Sequence, residues 1–237
     1  MQVGKPNSVR HPNSMKSIIS AVLVLSVVYS AMAVDKAELD NRIRKLQSKL
    51  ELMQSKPDKN VPAADLKAAK GIILLDRSKG GFVFAFQGGS GVAMVRDSRG
   101  RWGAPAFYSA NEASVGFQVG GQQSFVVILL MNTNAVYMLT QGSFNFGGEA
   151  SGTAGNASGG TEGSATYNPM VKVYTDKEGL FGGAAIKGDA IKPDSDANLA
   201  YYGQYLAPSD ILQGGKVVPG QAATDLGNKI QELAKPK

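Results

Sequence analysis

The side chains that most often carry chemistry are nearly missing: one histidine, His11, and no cysteine in 237 residues. His11 lies ahead of an apolar segment read below as a removable leader, so the rest of the chain has neither imidazole nor thiol. A Ser-His-Asp or Cys-His nucleophile needs an imidazole base, and the usual zinc sites need thiolate or imidazole ligands. What survives is carboxylate, lysine, tyrosine or serine chemistry, marked by paired acids in an apolar setting or a Ser-x-x-Lys motif. No convincing instance of either is present. Asp194 and Asp196, in "KPDSDANLAYYGQYL", follow a proline and precede an apolar stretch, which is the pattern of a helix start. No calcium-loop spacing of oxygen ligands occurs. The residues therefore point to a chain that is not an enzyme and holds neither cofactor nor metal.

One stretch, "GGSGVAMVRDSRGRWGAPAF" at residues 88–107, gathers glycines, arginines and the single tryptophan. A glycine run cradles phosphate when it leads from a strand into a helix whose N–H groups face the anion. Here it leads into the apolar "GVAMVRD", and no Lys-Ser/Thr pair follows. Gly88, Gly89 and Gly91 are accordingly read as turn and close-packing glycines. Arg96, Arg99 and Arg101 flank an Asp97-Ser98-Arg99-Gly100 turn signal, and Trp102 reads as a core or rim anchor. A hairpin tip of this kind is either simply solvated or, together with Lys79, a contact for lipid phosphates.

These elements need a frame. "MKSIISAVLVLSVVYSAMA", residues 15–33, has a lysine, an apolar run and Ala31-Met32-Ala33, the pattern of a secretory signal peptide. Residues 1–14 before it read as an overhang ahead of a true start at Met15, and retention of the apolar run as a membrane anchor is the alternative to cleavage. Export to a periplasm or the extracellular space follows, and the lack of cysteine excludes both disulfides and an acylated lipoprotein cysteine. Three of the 25 basic residues and none of the 19 acids precede Val34, so the remainder is mildly basic. That balance, with no clustered stripe, does not indicate nucleic acid, but it is compatible with anionic lipid.

Residues 34–56 carry Leu39, Ile43, Leu46, Leu50 and Met53 at alternating steps of four and three, which predicts an amphipathic helix. Three uses compete for it: packing on the domain behind it, self-association as a short coil giving a homo-oligomer, or lying on a membrane through Arg42, Arg44, Lys45 and Lys49. Residues 57–62, bounded by prolines, read as a linker, and residues 63–237 as one domain. Within it "AADLKAAKG" predicts a short helix. Strands are expected near 72–76, 82–87, 91–97, 105–110, 115–121 and 124–131, then around Phe144, in "MVKVYTD" and in "GLFGGAAIKGDAIK". Further helices are expected after Asn132, in "DANLAYYGQYL", in "SDIL" and in "AATDLGNKIQELAK". The fold class expected is mainly β (α+β): a strongly curved antiparallel sheet or closed barrel of short Gly-rich strands with flanking short helices.

The same residues carry a family resemblance. Ala69-Lys70-Gly71-Ile72, Gly80-Gly81-Phe82, Gly88-Gly89-Ser90-Gly91-Val92, Arg96 and Gly100-Arg101-Trp102-Gly103-Ala104-Pro105 resemble the SYLF domain, as do Gly116-Phe117-Gln118-Val119-Gly120, Gly179-Leu180-Phe181-Gly182-Gly183, Tyr202-Gly203 and Ile211-Leu212. The resemblance runs from about residue 63 to 233. It implies a glycine-rich domain without known catalysis, whose eukaryotic members bind phosphoinositide membranes, partly through an N-terminal amphipathic helix, and bundle actin. An exported chain would not meet cytosolic actin or phosphoinositides, so only general lipid binding carries over; joined to the basic helix and the cationic hairpin, it gives the expectation of a domain bound to anionic phospholipid through Arg42, Arg44, Lys45, Lys49, Lys79, Arg96, Arg99, Arg101 and Trp102. The alternative is a structural or host-interaction protein of the envelope acting by protein contacts.

Overall fold

The computed structural model describes residues 1, 35–80, 85–114, 122–141, 144–145, 170–176, 179–181, 190–213 and 215–236. The expected leader and overhang, the predicted strand at 115–121, the first half of the one at 82–87 and the glycine-rich stretch 152–163 lie outside these. Asp35–Lys237 forms one compact unit.

Helix α1 (Lys36–Gln54) starts where Asp35 accepts the Glu38 N–H, and α2 (Ala63–Ala68) follows the Pro57/Pro62 turn. Then come β1 (Gly71–Gly80), β2 (Ala85–Val95), β3 (Ala106–Ser114) and β4 (Gln122–Leu130). Asn132 caps α3 (Thr133–Thr140). Short β5 (Phe144–Asn145), β6 (Val171–Thr175), β7 (Gly179–Phe181) and β8 (Ala190–Pro193) complete the sheet. Three helices finish the chain: α4 (Ser195–Tyr202), stopped by Gly203 at φ +70°, α5 (Pro208–Leu212) and α6 (Gln221–Leu233).

All strands pair antiparallel in the order β5-β8-β3-β2-β1-β4-β6-β7. Six strands have four or more residues; β5 and β7, of two and three, sit at the two ends and do not pair with each other. The sheet is therefore open, and the closed-barrel alternative is corrected. Closure would need one edge strand to meet the other, but helices cover the two faces of this sheet instead. On one face Ile73, Leu75, Val126 and Ile128 pack with Ala135, Val136 and Leu139 of α3 and Ile211 and Leu212 of α5. On the other, Ile72, Leu74, Met94, Phe107 and Tyr174 lie under α1, α2, α4 and α6. The period-2 alternation of the strands thus supplies two cores, one per face.

Two local expectations change. Gly88 and Gly89 do not break a strand: they pair with Ser78 and Arg77 on one side and Asn111 and Ala110 on the other, inside a continuous β2. Ladders on both sides hold this stretch extended, so a local turn preference has nothing to act on. The apolar stripe of α1 is not free either. Leu39, Ile43, Leu46, Leu50 and Met53 are 0–1% exposed. A coiled-coil partner or a lipid surface would need that stripe, and the chain's own sheet and α6 already cover it.

Candidate functional site

The cationic residues singled out in the sequence fall into two groups. On α1, Lys49 Nζ lies 2.6 Å from Asp76 Oδ1 and Lys45 Nζ 2.8 Å from Asp76 Oδ2, so both point at one carboxylate on β1. Burial alone would raise the Asp76 pKa, but the hydrogen bonds and charges of Lys45 and Lys49 outweigh it and hold the carboxyl below its ordinary value. Arg42 stacks 5.9 Å from the Phe107 ring centroid and sits 3.7 Å from Asp194, an ion pair too long for a hydrogen bond. Asp194 also accepts the Ala197 N–H at 3.1 Å, the helix-start role that its sequence context predicts. Arg44 is exposed, with a 3.0 Å bond to Asn41 on the same helix. Three of the four α1 cations are thus spent on docking the helix, the fastening that the apolar stripe requires.

The second group sits where β2 turns into β3. Gly100 N–H donates to Asp97 O at 2.9 Å and Gly100 has φ +78°, a conformation that favours glycine. Arg96 is not a free cation. Its guanidinium donates to Leu66 O at 3.2 Å, Ala69 O at 3.1 Å, Gly100 O at 2.6 Å and Gln231 Oε1 at 2.7 Å, and lies 4.2 Å from the Trp102 ring centroid. It ties α2, the turn and α6 together, satisfying carbonyls that the end of α2 would otherwise leave open. Trp102 is half-buried beneath it and touches Gly227 of α6, where an added Cβ would stand 3.0 Å from the Trp102 Cβ.

Arg101 is two-thirds exposed but engaged: Nε and Nη2 reach Asp97 Oδ2 at 2.9 and 2.8 Å. The Arg99 side chain is exposed and has no partner among the described residues. Lys79 falls in β1, and its side chain lies outside the described residues.

Sequence reasoning missed two neighbours. Lys67, in the last turn of α2, and Lys70, just before β1, flank the carbonyls that Arg96 holds, and the Lys70 N–H and C=O pair with Leu130 O and Arg96 N. Both are exposed and without a carboxylate partner among the described residues. Lys67 lies 29 residues before Arg96 and Lys70 29 before Arg99, and only strand pairing brings them to the same end of the sheet. Lys45 and Lys49, by contrast, meet β1 six residues further on, roughly 20 Å along the strand. The two cationic elements are therefore separate surfaces.

The tyrosines and acids of the α1 face are also used structurally. Tyr174 donates to Asp65, which also takes Lys172 Nζ at 2.6 Å, and Tyr201 donates to Asp40 at 2.8 Å. Burial, reinforced by the Asp65 and Asp40 carboxylates, pushes both phenols above their ordinary pKa, opposite to what a tyrosine base needs. Among the described residues no three His, Cys, Asp or Glu side chains converge as a metal site, and no helix is long and apolar enough to cross a membrane.

Residues 111–233 match the family model described as Ysc84, Las17-binding protein actin regulator. The human SH3 domain-containing YSC84-like protein 1 is 31% identical over 169 residues, covering 70% of this chain and 49% of its own. Protein YSC84 of Saccharomyces cerevisiae is 32% identical over 170 residues, 70% of this chain and 36% of its own, and LAS seventeen-binding protein 3 of the same yeast 31% over 182 residues, 75% and 39%. This chain spans half or less of the length of these relatives. The match extends over β3 to α6, and the relatives reach far enough to include more of the sheet that carries the cationic end. The chain belongs to the Ysc84 (Las17-binding protein actin regulator) family, the SYLF-domain family that its glycine and arginine motifs resemble.

Proposed function

We propose that this protein is a non-enzymatic surface-binding domain that docks on anionic phospholipid through the end of the sheet formed by the β2–β3 turn and α2. The observation that carries the reading is that Lys67, Lys70 and Arg99 stand exposed and, among the described residues, without a paired carboxylate on a support braced by Arg96 and Trp102. Each cation near an anionic leaflet contributes about 1 kcal/mol, so three give weak, salt-sensitive adhesion. Helix α1 serves as part of the scaffold and Arg44 as an outlying contact. Export to the cell envelope, read from the leader, would put anionic lipid within reach.

Sedimentation with phosphatidylserine-containing vesicles tests this, using Arg99→Glu combined with Lys70→Glu. Loss of most low-salt binding is expected, since two charge reversals remove about 4 kcal/mol at that scale. Unchanged binding would dismiss the sheet end as the contact.

A second reading, contact with a protein partner, is favoured by the family description and by relatives named for binding Las17. An acidic protein surface fits the same cations. Filament sedimentation with purified actin separates the two: binding there, with none to vesicles, selects the protein partner.

A further inference from the structure

Asp97 occupies the middle of the cationic turn. Its Oδ1 accepts the backbone N–H groups of Arg99 and Arg101, both at 2.9 Å, and its Oδ2 takes the Arg101 guanidinium at 2.9 and 2.8 Å. Two convergent N–H groups plus a guanidinium are the elements of an anion nest. Here the carboxylate that fills the nest belongs to the chain itself. Its hydrogen bonds to Arg101 and Arg99 hold the Asp97 pKa low, so it stays ionised through the neutral range. Arg99, by contrast, projects free, and Arg96 is committed to carbonyls.

We propose that Asp97 is a built-in competitor for the lipid phosphate: it masks the Arg101 guanidinium, and removing its charge frees that group and converts the turn into a stronger anion site. The inference rests on the surface-binding reading above and names how that surface is restrained. Asp97→Asn suits the test, because its amide oxygen still accepts both N–H groups and the turn closed by Gly100 keeps its geometry while the charge is lost.

The experiment is a double-mutant cycle in the full-length protein, read as the partition constant on phosphatidylserine-containing vesicles at low salt, with phosphatidylcholine vesicles as the uncharged control. Asp97→Asn should tighten binding at least about fivefold, one charge at the membrane surface. Arg101→Gln should weaken both backgrounds, in the parent because it leaves the Asp97 charge unpaired, but should cost the Asp97→Asn background at least about twofold more, since only there is the guanidinium free to meet phosphate. Asp196→Asn, which removes an exposed acid in the first turn of α4, controls for net charge.

Asp97→Asn no tighter than the parent, Arg101→Gln equally costly in both backgrounds, or Asp196→Asn as effective as Asp97→Asn would each overturn the masking idea while leaving parent binding intact. A parent that fails to bind beside an Asp97→Asn variant that does bind supports masking and removes the surface-binding reading for the unaltered protein. Failure of both to bind overturns both.

Discussion

Replacing Gly91 by alanine is the sharpest test of the sheet on which everything else is mounted. Gly91 lies in β2 opposite Leu75 of β1 and Tyr108 of β3. A Cβ there would stand 1.9 Å from Leu74 O, 2.9 Å from Leu74 C and 2.8 Å from Leu75 Cδ2. To bring the oxygen contact even to 3.0 Å, the two backbones must separate by about 1.1 Å, the difference from the 1.9 Å starting distance. β1 cannot swing away, because it is also paired along nine positions with β4. The strain falls on the surrounding ladder, where two or three hydrogen bonds worth roughly 1 kcal/mol each would be stretched beyond use.

Alanine recovers only about 0.5–1 kcal/mol from the backbone entropy that glycine loses on folding. The net cost is about 1–2.5 kcal/mol, or outright misfolding. Urea unfolding followed by Trp102 fluorescence and far-ultraviolet dichroism measures it, and at a slope of about 2 kcal/mol per molar the midpoint should fall by about 0.5–1.2 M. Gly89→Ala is the internal control: its Cβ meets the flexible Arg77 Cγ at 3.0 Å, and the cost should be about 1 kcal/mol or less. A Gly91→Ala midpoint within about 0.3 M of the parent would refute the close approach of β1 and β2.

Two other outcomes follow from the scaffold. Asp76→Asn should destabilise by about 1–3 kcal/mol in urea unfolding at neutral pH, since it strips the charged acceptor from Lys45 and Lys49. Because the folded Asp76 carboxyl is held below its ordinary pKa, its contribution is present above the unfolded carboxylate range near pH 4 and is lost as pH falls through the folded value; the variant's disadvantage should therefore shrink in acid. Asn198→Ala should cost about 1–3 kcal/mol in the same assay, because the buried amide accepts Phe107 N–H at 2.8 Å and donates to Phe107 O at 3.0 Å; its removal leaves the Phe107 N–H open, whereas Phe107 O keeps the Asp194 N–H at 2.9 Å. A loss below about 1 kcal/mol would mean that water replaces the amide there.

The elements that were legible beforehand share one property: their signal is local. Five apolar residues of α1 at four- and three-residue steps, a helix after Asn132, Asp194 at a helix start and the Asp97–Gly100 turn all depend on neighbours within a few positions. Gly88 and Gly89 misled as a break because their role is set by strands on either side, at Ser78 and Arg77 and at Asn111 and Ala110. Among the site residues, the arginines of the turn could be named, but not their states. Arg96 and Arg101 look alike in sequence, yet one is consumed by Leu66, Ala69 and Gln231 and the other by Asp97. Lys67 carried no signal as a binding residue and Lys70 only its place in a family motif, since an isolated lysine beside a short helix is ordinary surface.

Residue chemistry and short-range periodicity alone established that residues 12–237 hold neither histidine nor cysteine, where most helices and turns fall, and which family the motifs resemble. Pairing across the sheet was needed for the rest: it left the sheet open, buried the α1 stripe, spent Lys45 and Lys49 on Asp76, and gathered Lys67, Lys70 and Arg99 at one end. The reason is that a side chain's charge and polarity are properties of its own atoms, whereas its availability depends on partners that the chain brings close only when distant strands meet.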